Sequence, residues 1–117
     1  MSNFCKWSAK QDARTELHDV LGLTGAEISV NNLPAGAGVP FVHYHKKNEE
    51  IYNLLSGKGT AVLAGEKIEF AAGDVIKVAP AVRRQFSAAA DSPVSYACIQ
   101  VRENSLEEYT ADDGVIE

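Results

Sequence analysis

Residues 43–57 read His-Tyr-His-Lys-Lys-Asn-Glu-Glu-Ile-Tyr-Asn-Leu-Leu-Ser-Gly, and this stretch decides how the rest of the chain is interpreted. Two histidines separated by one residue point to the same face of a β-strand, because successive side chains alternate. Glu50 follows, and a carboxylate that arrives on the next strand can complete a cluster with both imidazoles. Such a cluster suits a divalent transition metal and leaves coordination positions open. The stretch therefore indicates a metal site at His43, His45 and Glu50.

The composition limits the classes of fold and partner. The chain has 117 residues, 45% of them hydrophobic and 23% charged, which is typical of one soluble globular domain spanning 1–117. The net charge of -5 argues against a nucleic-acid or anionic-membrane partner, because binding phosphates requires concentrated positive charge. The first residues contain no apolar leader segment, so we expect a cytoplasmic protein. The two cysteines, Cys5 and Cys98, are expected to be free, partly buried thiols.

The pattern of apolar and turn residues predicts an all-β fold with a short N-terminal helix. Leu17, Val20 and Leu21 have helical spacing, so a helix is predicted over Arg14–Leu21, and Gly22 ends it. From residue 26 to residue 101, the predicted core, short β-branched runs alternate with Gly, Pro and Asn. The predicted strands are Ala26–Leu33, Val39–His45, Glu50–Leu55, Gly59–Leu63, Lys67–Phe70, Val75–Val78, Arg84–Ala88 and Val94–Val101. This spacing favours an antiparallel β-sandwich or jelly-roll barrel.

The chain resembles the cupin superfamily over nearly its whole length. The first motif of that family is Gly-x5-His-x-His-x3,4-Glu-x6-Gly, which His43, His45, Glu50 and Gly57 match. Glu50 rather than Glu49 takes the ligand position, because only Glu50 stands at the required distance before Gly57. The leading glycine of the motif is displaced by one position.

The second cupin motif, Gly-x5-Pro-x-Gly-x2-His-x3-Asn, is only partly present. Counting from Gly73 places Arg84 where the family has a fourth metal ligand, a histidine. Arginine cannot act as a ligand, because the guanidinium stays protonated and has no lone pair to donate. The resemblance therefore implies a metal site that has lost one of its four ligands.

Three interpretations of the site follow. In the first, His43, His45 and Glu50 hold iron, zinc, nickel or manganese, with positions left for water or substrate. In the second, the site is metal-free and Arg84 forms a buried pair with Glu50. In the third, Arg84 receives an anionic group of a ligand, since its planar fork matches carboxylate or phosphate.

Strand alternation also predicts which residues share the site. If the histidines face the interior of the barrel, Phe41, Tyr52 and Leu54 should line the same cavity. We therefore expect Phe41 and Tyr52, together with Arg84, to bind the substrate, while no catalytic residue is assigned.

The resemblance implies a single-domain cupin that forms a homodimer and binds a small molecule. Two functions follow from it. One is a metal-dependent enzyme of the dioxygenase, isomerase or decarboxylase type that acts on a small molecule, which is anionic in the third interpretation. The alternative is a non-catalytic module that binds or senses a small ligand in a metal-free pocket, where Arg84 replaces the fourth ligand.

Overall fold

The computed structural model describes residues 3–109 and 112–117 and contains seven strands and one short helix. Positions 1, 2, 110 and 111 of the predicted domain lie outside the described residues. The elements are β1 (Arg14–Glu16), α1 (Leu17–Leu21), β2 (Glu27–Leu33), β3 (Asn48–Leu63), β4 (Glu66–Ala71), β5 (Val75–Val78), β6 (Arg84–Ala88) and β7 (Val94–Arg102). Within the described part of the chain, no helix is long and apolar enough to cross a membrane.

All the strand pairs are antiparallel, and β3 joins two sheets. The first half of β3 pairs with β7 and β5, and its second half pairs with β4 and β6. The longest path through the paired strands is β1-β2-β7-β3-β4, and over the described residues it does not close into a ring. The prediction of an antiparallel jelly roll is therefore confirmed, with an open sheet.

β3 is one continuous strand of 16 residues, where the sequence predicted two strands. Its register with β7 shifts between Leu54 and Ser56, and Gly57 follows with a left-handed φ of 77°. A Cβ at Gly57 would lie 1.8 Å from the carbonyl oxygen of Pro93, so a side chain does not fit there. The chain therefore passes from one sheet to the other at this irregularity without leaving the strand.

The predicted N-terminal helix is too long. Arg14–Glu16 instead forms β1, which pairs with Ser29–Asn31 of β2, and α1 contains only the five residues Leu17–Leu21. The reason is that the helical spacing of apolar residues exists only from Leu17 onward, so pairing with β2 determines the conformation before it. Gly22 ends the helix as predicted, with φ of 66° and its N–H donated to His18 O.

The predicted strand Val39–His45 is wrong as a regular strand. One isolated bridge, His43 with Arg84, lies within this segment, and a second, Gly38 with Ser87, lies just before it. Five positions separate Gly38 from His43, but only three separate their partners Arg84 and Ser87. The segment around Pro40 therefore bulges away from β6. Pro40 has no N–H to donate to a ladder, which explains the interruption.

The core lies between the two sheets. The other predicted strands agree with the structure to within one residue at each end. Aromatic rings fill the centre, where Phe86 stacks on Tyr52 with ring centroids 4.0 Å apart and contacts Phe70 and Tyr96 at 5.7 and 5.8 Å. Leu54 lies in this core rather than beside the histidines. A cavity opens beside this core, and Tyr52, Phe86 and Tyr96 form part of its lining.

Candidate functional site

A cavity of about 510 Å³ contains five of the six predicted site residues in its lining. These five are Phe41, His43, His45, Glu50 and Tyr52. Phe41 lies at the outside of the cavity, 58% exposed, with its ring centroid 5.8 Å from that of His43. Tyr52 lies at the inner end and is 3% exposed. The cavity therefore extends from solvent to the core.

The imidazoles of His43 and His45 converge on the carboxylate of Glu50. His43 Nε2 lies 3.6 Å from Oε1 of Glu50, and His45 Nε2 lies 3.1 Å from Oε2. One ligand atom from each residue lies within 4.8 Å of the other two. Although the segment is not a strand, its backbone is fixed: His43 exchanges two hydrogen bonds with Arg84, and the carbonyl of His45 accepts one from Ala81.

Three further side chains donate hydrogen bonds to Glu50. Tyr52 Oη and Arg84 Nη1 donate to Oε1 over 2.6 and 2.8 Å, and Cys98 Sγ donates to Oε2 over 3.3 Å. Burial alone would raise the pKa of Glu50, but the hydrogen bonds from these three donors act against it, and the pKa lies below its usual value. Burial and the nearby Glu50 charge raise the pKa of Cys98, so its thiol stays protonated. Glu50 is therefore an ionised carboxylate with neutral donors around it, apart from Arg84.

His43 is the neutral partner in this arrangement. Burial lowers its pKa, against the opposing attraction of Glu50, so the imidazole is uncharged at neutral pH. Its other ring nitrogen, Nδ1, is buried and has no hydrogen-bond partner among the described residues. When Nδ1 carries the proton, Nε2 of the neutral imidazole has the free lone pair that binds a metal.

Arg84 lies behind Glu50 and does not line the cavity. It has 0% exposure, and besides its bond to Glu50 it donates from Nε and Nη2 to the carbonyl of Val82 and from Nη2 to that of Ala79, over 2.8–3.0 Å. Ala81, within the same loop, has a left-handed φ of 70°. Arg84 therefore connects the loop 79–82 to β3, and it is not among the residues that line the cavity.

The opposite wall of the cavity contains polar residues that were not predicted from the sequence. Ser29 and Asn31 of β2 face the cavity, and Arg14 of β1 extends over them. The alternation of Ser29 and Asn31 with Ile28 and Val30 was a usable signal for the first two. Arg14 had no such signal, because residue 14 was assigned to a helix.

The donor set at His43, His45 and Glu50 fits a divalent transition metal. Two imidazoles and one carboxylate are ligands that iron, zinc, nickel and manganese accept. Both histidine Nε2 atoms already point at the carboxylate, so little rearrangement of the side chains is needed. These three residues therefore form a group that could bind a metal ion.

Comparison with known proteins places the chain in a family. The family model described as Cupin domain matches residues 30–100. An uncharacterized protein, MJ1618, from Methanocaldococcus jannaschii is 32% identical over 66 residues, which is 56% of this chain and 52% of that protein. The match thus spans about half the length of this curated relative.

Two solved structures show the same fold. A cupin protein from Bacteroides fragilis is 62% identical with a TM-score of 0.95, over 100% of this chain and 99% of that chain. A predicted oxalate decarboxylase from Thermotoga maritima is 23% identical with a TM-score of 0.60, over 64% of each chain, which is a likeness of fold alone. Since the family model covers more than half of the 117 residues, this chain belongs to the cupin family.

Proposed function

We propose that the protein holds a divalent metal ion at His43, His45 and Glu50 and binds a small molecule in the cavity beside it. The observation that carries the proposal is the convergence of the three ligand atoms, all within 4.8 Å of one another, at the wall of a 510 Å³ cavity. A bound metal would act as a Lewis acid toward an oxygen of the small molecule. The metal is one of iron, zinc, nickel and manganese.

The cavity has the form of a small-molecule site. Aromatic walls from Phe41, Tyr52 and Phe86 surround a small number of converging polar groups, which is the usual composition of such pockets. Tyr52, Arg84 and Cys98 hold the carboxylate of Glu50 in one orientation through three hydrogen bonds. The chain's own residues thus supply an oriented ligand set and a surface from which water can be excluded.

The metal affinity of this site should be moderate. A metal-ligating histidine usually donates its second ring N–H to a neighbour, and losing that partner weakens metal binding by about 10–100-fold. His43 Nδ1 has no such partner among the described residues. Mild chelation should therefore remove the metal without unfolding the protein.

A metal-dependent enzyme of the dioxygenase, isomerase or decarboxylase type is one form of the proposal, and it is supported by the fold shared with the Thermotoga maritima protein described as a predicted oxalate decarboxylase.

A homodimer is also part of the proposal, because the resemblance to cupins implies one. Sedimentation velocity at two protein concentrations tests the dimer directly.

A second candidate function is a metal-free binding module. The observation that favours it is the 2.8 Å contact between Arg84 and Glu50, whose side chains are 0% and 5% exposed. A guanidinium at this position already compensates the charge of the carboxylate, and it would repel a divalent cation in a medium of low dielectric constant. In this form the cavity binds a ligand and catalyses no reaction.

Metal analysis separates the two candidates. The protein is purified without added metal or chelator, and its metal content is measured for the wild type, His43→Gln and His18→Gln. His18 is the matched control, because it belongs to a different group, with Glu16 and Glu27, that could also hold a metal. The proposal predicts stoichiometric metal in the wild type and in His18→Gln and its loss in His43→Gln. A metal-free wild type that still binds small molecules supports the second candidate instead.

A further inference from the structure

We propose that Arg14 binds the anionic group of the ligand, so that the cavity accepts a small organic carboxylate or phosphate monoester. This inference rests on the proposed function, because it needs the cavity beside His43 and His45 to be the ligand site, and it adds the chemical class of the ligand. Arg14 is a residue of β1 and part of the cavity lining.

A hydrogen bond to a side chain of β2 holds Arg14 in position. Arg14 lies directly across from Asn31 of β2, which in turn lies across from Tyr96 of β7. Arg14 Nη1 donates a hydrogen bond of 3.1 Å to Oδ1 of Asn31, and Nδ2 of Asn31 donates one of 3.0 Å to Oγ of Ser29. Asn31 and Ser29 are only 5% and 2% exposed. Two buried polar side chains therefore orient one edge of the Arg14 guanidinium, while the side chain itself stays half exposed.

The other charged groups of the cavity are already engaged. Glu50 is paired with Arg84. Glu27 is turned toward α1, where its carboxylate accepts a hydrogen bond from the backbone N–H of His18 and contacts the ring of the same residue. Among the residues that line the cavity, Arg14 thus supplies the guanidinium that can meet a ligand, because Arg84 lies outside the lining.

One surface partner competes with the ligand for Arg14. Arg14 Nε lies 3.3 Å from Oε1 of Glu16, but the two side chains are 54% and 47% exposed. Exposed pairs of this kind contribute little free energy, so a ligand can displace or share this contact. The remaining edge of the guanidinium presents the planar fork that matches two oxygens of a carboxylate or phosphate.

The position of Arg14 also limits the shape of the ligand. β1 is separated from β3, which carries Glu50, by β2 and β7. With neighbouring strands about 4.8 Å apart, the two strands lie roughly 14 Å from each other along the sheet. A ligand that contacts both the imidazoles and Arg14 therefore carries an anionic group at one end and a second polar group at the other.

Calorimetric titration of the full chain, in the metal state in which it is isolated, tests the inference. The probes are glutarate for the carboxylate class and glucose 6-phosphate for the phosphate class, with dimethyl glutarate and glucose as their uncharged counterparts. The variants are Arg14→Gln, Arg14→Lys and the control Arg83→Gln, in which the altered arginine lies on the exposed ring of Tyr44 and outside the cavity lining. Melting temperature and metal content are recorded for each variant, so that a folding defect is recognised.

The inference predicts that at least one anion class binds more tightly than its uncharged counterpart. Arg14→Gln should weaken that binding by about tenfold or more, since a charge-assisted hydrogen bond is lost. Arg14→Lys should retain part of it, because the charge stays while the fork is lost, and Arg83→Gln should bind as the wild type does. The class that binds identifies the anionic group.

Two results would overturn the inference. One is binding of the anion by Arg14→Gln with wild-type affinity, and the other is a wild type that holds metal yet binds neither anion class. Both differ from failure of the proposed metal site, which would show as a wild type without metal whatever the Arg14 variants do.

Discussion

Arg84 donates a hydrogen bond of 2.8 Å from Nη1 to Oε1 of Glu50, and their side chains are 0% and 5% exposed. This buried ion pair joins the loop that precedes β6 to the strand that carries the candidate metal ligand. Removing one partner of such a pair leaves an uncompensated charge away from water, which is far more destabilising than the loss of a surface pair. Arg84 is therefore expected to act on the site through Glu50 and not through a ligand.

Replacing Arg84 with methionine should lower the free energy of unfolding by about 3–5 kcal/mol, because Glu50 loses its buried counter-charge. The carbonyls of Ala79 and Val82 lose their hydrogen bonds as well. The measurement is urea denaturation without metal. Arg83→Met is the matched control, since that arginine is exposed and should change stability by less than about 1 kcal/mol. Equal, small effects of both variants would contradict this account of Arg84.

Acid should destabilise the protein in two steps. Burial lowers the pKa of His43 below its usual 6.5, so the unfolded chain binds that proton more tightly and stability falls as the pH drops below 6.5. Burial opposes ionisation of Glu50, but hydrogen bonds from Tyr52 and Cys98 hold its pKa below the usual 4.5. The stability that Glu50 contributes is therefore complete above pH 4.5 and is lost as the pH falls through its folded pKa.

Melting temperatures between pH 8 and pH 3, with chelator present, measure both steps. His43→Gln should remove the decline that begins below pH 6.5 and keep the one below 4.5, because only the first belongs to the imidazole. A wild-type melting temperature that stays constant over the whole range would refute the assigned directions.

Gly57→Ala should be strongly destabilising, because the new Cβ would lie 1.8 Å from the carbonyl oxygen of Pro93 and φ is 77°. Gly65→Ala is the control, since its φ is 81° but nothing lies within 4 Å of the new Cβ. The left-handed backbone alone costs about 1–2 kcal/mol, so this is the loss expected for Gly65→Ala. Gly57→Ala should lose about 3 kcal/mol or more, with overpacking added. Thermal denaturation measures both variants, and equal losses would contradict the close approach of Gly57 to Pro93.

Much of the fold could be predicted because alternation is a local property. In β7, residues from Val94 to Cys98 alternate between buried and half-buried positions, and the sequence places the smaller residues Ser95 and Ala97 at the half-buried ones. β1 could not be predicted in this way, because three residues are too short to show a period and their partner strand lies farther along the chain. The bulge around Pro40 is a different case, because a proline without an N–H was a local indication against the predicted strand Val39–His45.

The residues of the site also differ in whether local spacing or distant contacts determine their positions. The spacing of His43, His45 and Glu50 was sufficient to predict their convergence, because it rests on neighbouring segments. The direction of Arg84 was not predictable, since it depends on the carbonyls of Ala79 and Val82, which a loop with a left-handed Ala81 presents to it. Arg14 reaches the cavity only through the pairing of β1 with β2.

Anomalous diffraction from crystals grown with zinc tests the central claim most directly. The account predicts one strong peak about 2.0–2.2 Å from Nε2 of His43, Nε2 of His45 and a carboxylate oxygen of Glu50, and no peak there in His43→Gln crystals. A wild-type map with no peak between these three residues, or with zinc only at Glu16, His18 and Glu27, would contradict it.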